Sequence, residues 1–242
     1  MKHRSLTCPA MIMAASFATA TITSHAEDTE PNTLSSPEKA AGWQLLFDGK
    51  DAKAWRAFGK ESLPDKGWEI SEGWLIKKAE QRPGNIVTRD EFTDFEFSWE
   101  WRMARGGNNG IKYFVDEKRG NLGHEYQMLS NPGGKPGKGA TAGFYAVLAP
   151  EGLPEIKVAP ESNHSRVSVK GNEVSHWLNG KLVLKYTCGS ETVLSNVALS
   201  KFKKVPGFGR KLKARIMLTD HGSECAFRNL KIRELSPESG KE

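Results

Sequence analysis

The sequence predicts an all-β fold in which two antiparallel sheets pack face to face, and three observations support that class. Phe95, Phe97, Trp99 and Trp101 alternate with polar residues, which is the period-two pattern of a strand with one face in a core. Turn signals rich in Gly and Asn recur at short intervals along the chain. No segment of normal helix length carries a 3.6-residue apolar period. A chain of roughly a dozen short strands is typical of a sandwich.

Individual strands follow from apolar or alternating runs that turn signals bound on both sides. Glu72 and Gly73 mark a hairpin, and a long loop rich in Gly, Pro and Lys, predicted to be mobile, occupies residues 131–139. Outside the central hairpins, we predict strands at residues 42–50, 68–70, 74–76, 85–88, 95–102, 111–115, 124–129, 143–148, 212–218 and 225–235.

Residues 163–186 predict two linked hairpins built from three strands. The strands are expected at residues 166–170, 173–178 and 181–186, and Asn179-Gly180 suits the two positive φ angles of a type I′ turn. Alternation puts His176 on one face between apolar neighbours and Trp177 with Asn179 on the other. An imidazole on one face and a Trp beside an amide on the other suggest a sheet whose second face holds a ligand.

The chain divides into four predicted parts. Lys2 and Arg4 precede an apolar run that ends in a small-residue site near Ala26, which predicts a secretory signal peptide over residues 1–26. Residues 27–40 are polar and predict a disordered lead-in. One β-sandwich domain is expected over residues 41–236, and a flexible tail over residues 237–242. We therefore expect an exported protein, periplasmic or extracellular, with no membrane segment after cleavage.

Charge argues against a nucleic-acid partner. Loss of Lys2 and Arg4 with the signal peptide lowers the formal net charge from +6 to +4, which is mild for a chain of this length. The basic residues concentrate in residues 201–215, a segment that we interpret as a solvated loop and edge strand rather than an anion-binding patch.

Two cysteines, Cys188 and Cys225, remain after signal cleavage. In an oxidising compartment they could form a disulfide, but spacing does not establish that their strands meet. Paired and free cysteines are equally compatible with the sequence.

Eight short motifs in one order resemble the 3-keto-disaccharide hydrolase family. They cover residues 42–235, nearly the whole of the predicted mature chain. The motifs are GWQLLFDGK at residue 42, NNGIKYF at 108, GHEYQ at 123, AGFY at 142, NHSR at 163, HWLNG at 176, DHG at 220 and FRNL at 227. The resemblance implies a concanavalin A-like jelly-roll sandwich with its site on the concave sheet, in an exported bacterial carbohydrate-active protein. It also implies cleavage of glycosides that an upstream sugar 3-oxidoreductase has oxidised at C3.

Candidate site residues come from strand parity and from the resemblance. Glu125 is the expected central carboxylate, as base or as cation ligand, and His221 is the expected proton shuttle because an imidazole titrates near neutrality. His176 and Asp220 are further catalytic candidates; a core histidine and a turn-capping aspartate are equally compatible interpretations. The predicted carbohydrate-binding residues are Glu100, Arg102, Asn109, Lys112, Gln127, Tyr145, Trp177 and Asn179. The alternative for such a polar floor is a solvated face with cross-strand ion pairs.

The expected chemistry follows from the acidity of the C2 hydrogen of a 3-keto sugar. A base near C2, positive charge or hydrogen bonds at the C3 oxygen, and an acid at the leaving oxygen would permit elimination or net hydrolysis. A divalent metal ion could support the enolate, yet no motif of diagnostic ligand spacing occurs, so the sequence identifies no certain cofactor. A lectin-like module that binds carbohydrate without turnover is the alternative function.

Overall fold

The computed structural model describes residues 30–152 and 155–236. These residues form two antiparallel sheets packed face to face, which confirms the predicted all-β sandwich. The predicted signal peptide and flexible tail lie outside the described residues.

The larger sheet has eight strands. Its hydrogen-bonded order is β11-β10-β9-β6-β13-β4-β3, and β1 also pairs with β13. The strands are β1 (Gln44–Leu45), β3 (Trp68–Ser71), β4 (Trp74–Lys77), β6 (Phe95–Arg102), β9 (Asn163–Lys170), β10 (Glu173–Leu178), β11 (Lys181–Thr187) and β13 (Cys225–Glu234).

The smaller sheet has five strands in the order β2-β5-β12-β7-β8, and its outer face carries the candidate site. The strands are β2 (Trp55–Ala57), β5 (Ile86–Thr88), β7 (Asn108–Val115), β8 (His124–Leu129) and β12 (Arg215–Leu218).

Aromatic residues fill the space between the sheets. The β6 rings predicted to be core are all buried, and Phe97 stacks on Trp99 with ring centroids 5.1 Å apart. Trp99 in turn meets Tyr126 of β8 edge to face at 4.9 Å, so one aromatic contact links the two sheets. Pairs of this geometry stabilise a core by about 0.5–1.5 kcal/mol beyond the area they bury.

The predicted central hairpins are present as β9, β10 and β11. Asn179 and Gly180 have φ angles of 48° and 80°, as the type I′ turn requires. Val174 and Leu178 point into the core with His176, whereas Trp177 is only half-buried on the outer face.

Several predictions about secondary structure were wrong. The strand predicted at residues 42–50 contains only β1, and β2 was not predicted. The expectation of no helix of normal length missed α2 (Glu191–Ala198), which begins at an N-cap, Ser190, whose side chain accepts a hydrogen bond from the Val193 amide. Only Val193 and Val197 of α2 are buried, and one such pair is too short a pattern to show a helical period. Residues 143–148 contain isolated bridges at Phe144 instead of a strand.

The lead-in predicted to be disordered contains ordered structure from residue 30 onward. A short helix, α1 (Ser36–Ala40), starts with a reciprocal capping box between Ser35 and Glu38. Asn32 and Asn229 exchange backbone-to-side-chain hydrogen bonds of 2.6 and 2.8 Å, which fasten this segment to the larger sheet. Within the ranges described above, no helix has the length and apolar character needed to cross a membrane.

The basic segment differs from expectation, and the structure decides between the two alternatives left open for the cysteines. The strand at the end of the basic segment, β12, lies between β5 and β7 and is therefore not an edge strand. Cys188 and Cys225 are both buried as free thiols, so the structure does not support a disulfide between them. Burial raises the pKa of the Cys188 thiol to about 12.

Candidate active site

The outer face of the smaller sheet carries an open groove of about 430 Å³. Its floor is built by β7 and β8, which pair so that Lys112 lies opposite Glu125 and Gly110 lies opposite Gln127. Strand parity explains the arrangement, because Ile111, Tyr113 and Tyr126 of the same strands are buried in the core. The groove is lined by Asn108, Lys112, Asn121, Leu122, Gly123, Glu125, Gln127, Tyr145, Lys201, Phe202, Val205 and His221.

Glu125 and His221 meet in this groove. His221 Nε2 lies 3.1 Å from Glu125 Oε1, so the imidazole can donate a hydrogen bond to the carboxylate. The Glu125 side chain is 6% exposed and that of His221 is 34% exposed. Gly110 leaves room for the carboxylate, because a Cβ at that position would lie 3.0 Å from Cγ and Cδ of Glu125.

Lys112 lies beside this pair with a partly desolvated amine. Its Nζ donates a 3.0 Å hydrogen bond to the backbone carbonyl of Asn121. Burial lowers the pKa of Lys112, the negative charge of Glu125 acts in the opposite direction, and the positive charge of Lys201 lowers the pKa further. Gln127 Nε2 donates a 3.0 Å hydrogen bond to Asn108 Oδ1, so an amide is fixed next to the same floor.

One wall of the groove comes from the segment between β8 and β9, which carries Tyr145, and from the loop after α2. Lys201 Nζ lies 4.2 Å from the ring centroid of Tyr145 and 5.1 Å from that of Phe202. Tyr145 therefore lines the groove in which it was predicted to act. Lys201 was missed as a site residue, because its basic segment was interpreted as solvated and no spacing indicated that it folds over the sheet.

Asp220 does not reach the groove. Its carboxylate accepts hydrogen bonds from Lys77 Nζ at 2.7 Å and from the Gly84 and Gly222 amides at 3.1 Å. Burial by itself raises the pKa of Asp220, but these hydrogen bonds together outweigh burial and lower the pKa. The predicted catalytic role is corrected to a positioning role, because Asp220 shapes the turn that carries His221.

His176 is a core residue and not a groove residue. Its Nδ1 lies 2.8 Å from the carbonyl of Ala142, and its Nε2 lies 2.7 Å from the Tyr113 hydroxyl. Burial lowers the pKa of His176 to about 4, so the ring is neutral at pH 7. The predicted catalytic role of His176 is therefore wrong, because a fully buried imidazole cannot contact a sugar in the groove.

The contacts of His176 extend into a buried chain of hydrogen bonds. The Tyr113 and Tyr186 hydroxyls are 2.7 Å apart, and Tyr186 lies 2.9 Å from His124 Nδ1. The Ala142 carbonyl can only accept, which makes His176 Nδ1 a donor and its Nε2 the acceptor of the Tyr113 hydroxyl. Each partner then donates in turn, and His124 Nε2 is left as a buried lone pair with no hydrogen-bond partner.

Asn109 also belongs to the interior. It is fully buried, and its Oδ1 accepts hydrogen bonds from the Gly110 amide and the Thr219 hydroxyl. Its predicted contact with substrate is corrected to support of the backbone between β7 and β12.

Glu100 and Arg102 lie on the other side of the sandwich. Parity was right, since both point away from the core, but β6 belongs to the eight-stranded sheet. Glu100 is bound by Arg228 and Asn229, and the Arg102 guanidinium stacks over Trp74 at 4.2 Å. Neither residue can act with Glu125 on one ligand.

Trp177 and Asn179 lie on that same distant sheet and its turn. The ring of Trp177 is covered by the guanidinium of Arg166 at 4.0 Å. Asn179 accepts a 2.9 Å hydrogen bond from the His164 amide and donates one of 3.0 Å to the Glu155 carbonyl. The predicted sugar contacts of both residues are therefore replaced by structural contacts.

The donor set of the groove does not fit a metal ion held by the protein. Across the residues that the structure describes, no three His, Cys, Asp or Glu side chains converge as ligands. Four side chains of a type that binds metal ions are His124, Glu125, Asp220 and His221. His124 is in the core and Asp220 is bound to Lys77, which leaves Glu125 and His221 beside the amine of Lys112. We therefore derive no chemical step through a metal ion.

The fold and the groove together define a class of protein. A two-sheet sandwich with an open groove, lined by aromatic rings and by acidic, basic and amide side chains, is typical of carbohydrate-active proteins.

The chain belongs to the 3-keto-alpha-glucoside-1,2-lyase-like domain family, whose sequence profile matches residues 42–233. This match confirms the resemblance seen in the sequence motifs. A relative from Bacteroides thetaiotaomicron, named 3-keto-disaccharide hydrolase, is 29% identical over 242 residues, covering 85% of this chain and 83% of the relative.

Two crystal structures from Parabacteroides distasonis, both of candidate glycosyl hydrolases, are similar. One has a TM-score of 0.76 with 31% identity and covers 86% of this chain and all (100%) of that chain. The other has a TM-score of 0.62 with 25% identity and covers 80% of this chain and 99% of that chain. The family and these relatives support a glycosyl hydrolase-like function.

Proposed function

We propose that the protein is an exported enzyme that cleaves 3-keto-glycosides, including 3-keto-disaccharides, by removal of the C2 proton followed by elimination or net hydrolysis. The observation that carries the proposal is the convergence of a carboxylate, an imidazole and an amine at Glu125, His221 and Lys112 in one groove. These three groups match the base, the acid and the positive charge that the reaction needs.

Glu125 is the base. The C2–H bond breaks as the Glu125 carboxylate takes the proton, and the electron pair forms a C2=C3 bond with negative charge on the C3 oxygen. Lys112, on the floor of the groove, supplies positive charge for this oxygen, and stabilising developing charge in a partly dry site is commonly the largest contribution to the rate. A hydrogen bond from His221 orients the carboxylate, and the absence of a side chain at Gly110 leaves room for it.

His221 is the acid. The enolate re-forms C3=O, a C1=C2 bond forms, and the bond from C1 to the glycosidic oxygen breaks as that oxygen takes a proton from the His221 imidazolium. For net hydrolysis, water adds to C1, returns a proton to His221 and leaves an enolate, which takes the proton from Glu125 at C2. Both side chains end the cycle in their starting protonation states.

The substrate class implies a partner reaction. An unoxidised glycoside lacks the ketone that makes its C2 hydrogen acidic, so a sugar 3-oxidoreductase has to act first. The proposed location outside the cytoplasm follows from the predicted signal peptide.

Release of free sugar from a 3-keto-disaccharide tests the proposal, with the unoxidised disaccharide as a negative control. We expect Glu125→Gln to lower turnover by about 10²- to 10⁴-fold, the usual contribution of a general base, while sugar binding persists. Glu173→Gln changes a solvent-exposed carboxylate that pairs with Lys185 on the other sheet, and it should leave turnover unchanged. Sugar binding by the parent protein without any release would refute the enzyme and favour a lectin-like module.

A further inference from the structure

Lys112 has the surroundings of a nucleophilic amine rather than those of a structural cation. Within the described chain, no carboxylate lies within ion-pair distance of its Nζ, and its single hydrogen bond goes to the neutral carbonyl of Asn121. By contrast, Lys77 and Lys211, two other cations with little exposure, each have a carboxylate partner. A lysine that loses water without gaining an ion pair is less costly to hold as the neutral amine.

A second cation strengthens this effect. Lys201 lines the same groove, and its positive charge lowers the pKa of Lys112 in addition to the effect of burial. Desolvation together with a neighbouring cation is a known way to activate a lysine amine toward a carbonyl group.

The position of Lys112 relative to Glu125 fits two adjacent carbon atoms of one sugar. The two residues are direct cross-strand partners on β7 and β8, so their Cβ atoms lie about 5 Å apart on one face. A base at C2 and an amine at C3 have to reach neighbouring atoms from one side of the ring. Paired side chains on the floor of one groove can do so.

We propose that Lys112 is a nucleophile that attacks the C3 ketone and forms an iminium ion with the sugar. This inference rests on the proposed function, because it requires a substrate with a ketone at C3. The neutral amine adds to C3, the C3 oxygen takes up one proton from the water that fills the open groove, and loss of one water gives a C3=N bond that carries positive charge. Glu125 then takes the C2 proton, and the electron pair forms a neutral enamine instead of an enolate.

The remaining steps return the lysine. The enamine re-forms the iminium ion, a C1=C2 bond forms, and the glycosidic oxygen leaves with a proton from His221. One water then hydrolyses the iminium ion to the C3 ketone and the free amine and releases one proton to the solvent. The water released and the proton taken up on capture are thereby both balanced.

Reductive trapping tests the inference directly. The full chain is mixed with a 3-keto-disaccharide and sodium cyanoborohydride, which reduces an iminium ion to a stable amine, and the labelled peptide is identified by mass spectrometry. We expect one sugar adduct on Lys112 and loss of activity that requires both substrate and reductant. Lys112→Arg keeps the charge but cannot form the iminium ion, so it should give no adduct and lose turnover on the order of 10³-fold or more.

Lys185→Arg is the matched control, since Lys185 is an exposed lysine on the larger sheet. It should retain both turnover and the adduct on Lys112. Turnover without an adduct, with Lys112→Arg keeping a tenth or more of the parent activity, would overturn the nucleophile and leave the proposed function standing. An adduct on Lys112 without release of sugar would support capture of the ketone and overturn the proposed cleavage.

Discussion

The free energy of unfolding should decrease as the pH is lowered from neutral to mildly acidic, because the core contains neutral imidazoles. His176 donates to a backbone carbonyl and accepts from Tyr113, and burial lowers its pKa to about 4. His124, at the other end of the same hydrogen-bonded chain, has a pKa lowered to about 3, chiefly by burial. Each ring binds a proton more readily in the unfolded chain than in the folded one.

The sign and size follow from linkage. A group whose pKa is lowered on folding gives its full stabilisation above its unfolded pKa and loses it as the pH falls toward its folded pKa. With about 1.4 kcal/mol for each pKa unit, His176 alone costs the folded state about 2 kcal/mol between pH 7 and about pH 5. Carboxylates held at low pKa, such as Glu117 at about 2, lose their stabilisation below this window, since an unfolded glutamate titrates near 4.5.

The measurement is the free energy of unfolding in urea at several values between pH 7 and pH 5. The parent protein should lose stability steadily as the pH falls through this window. His176→Gln retains a hydrogen-bond acceptor and a donor but cannot titrate. Between pH 7 and pH 5, this variant should therefore lose about 2 kcal/mol less stability than the parent protein. Equal pH slopes for the two proteins would refute the assignment of a neutral, titratable imidazole to the core.

Two further predictions concern the support of the groove. Gly110→Ala places a Cβ against the Glu125 carboxylate, so turnover should fall by about as much as in Glu125→Gln, about 10²- to 10⁴-fold, with the circular dichroism of the fold retained. Gly139→Ala, where an added Cβ has no atom within 4 Å, should leave turnover unchanged, and equal effects of the two variants would contradict the steric argument. Lys77→Met removes the cation that pairs with the Asp220 carboxylate. The free energy of unfolding measured in urea should therefore fall by about 3–5 kcal/mol. Adding Asp220→Asn should recover part of that loss, and failure to do so would argue against the buried ion pair as its cause.

The fold was predictable because its signals are local. Alternation along β6 and the Asn179-Gly180 turn each act within a few residues, and the structure has both as predicted. The elements that were missed lack such signals. The helix α2 buries only two valines, and the order of the lead-in depends on Asn32 reaching Asn229 from far away in the sequence.

The groove was predictable only in part, because parity tells which face a side chain occupies but not which sheet its strand joins. Glu100 on β6 and Glu125 on β8 both point away from the core, yet their strands belong to opposite sheets, so one meets Arg228 and the other meets His221. The same uncertainty about which sheet a strand joins explains why Trp177 was predicted to bind carbohydrate.

Strand parity correctly placed Glu125, Gln127 and Lys112 on one face, because β7 and β8 are consecutive in the chain and pair directly across a short connection. Lys201 reaches the groove only through the packing of α2 and the loop after it, and that contact depends on distant parts of the chain. The residues on the floor of the groove are thus set by local strand pairing, whereas the charge of Lys201, which lowers the pKa of Lys112, is placed by tertiary packing. Relatives that share the floor can therefore differ in the reactivity of this lysine through changes in the segment after α2 alone.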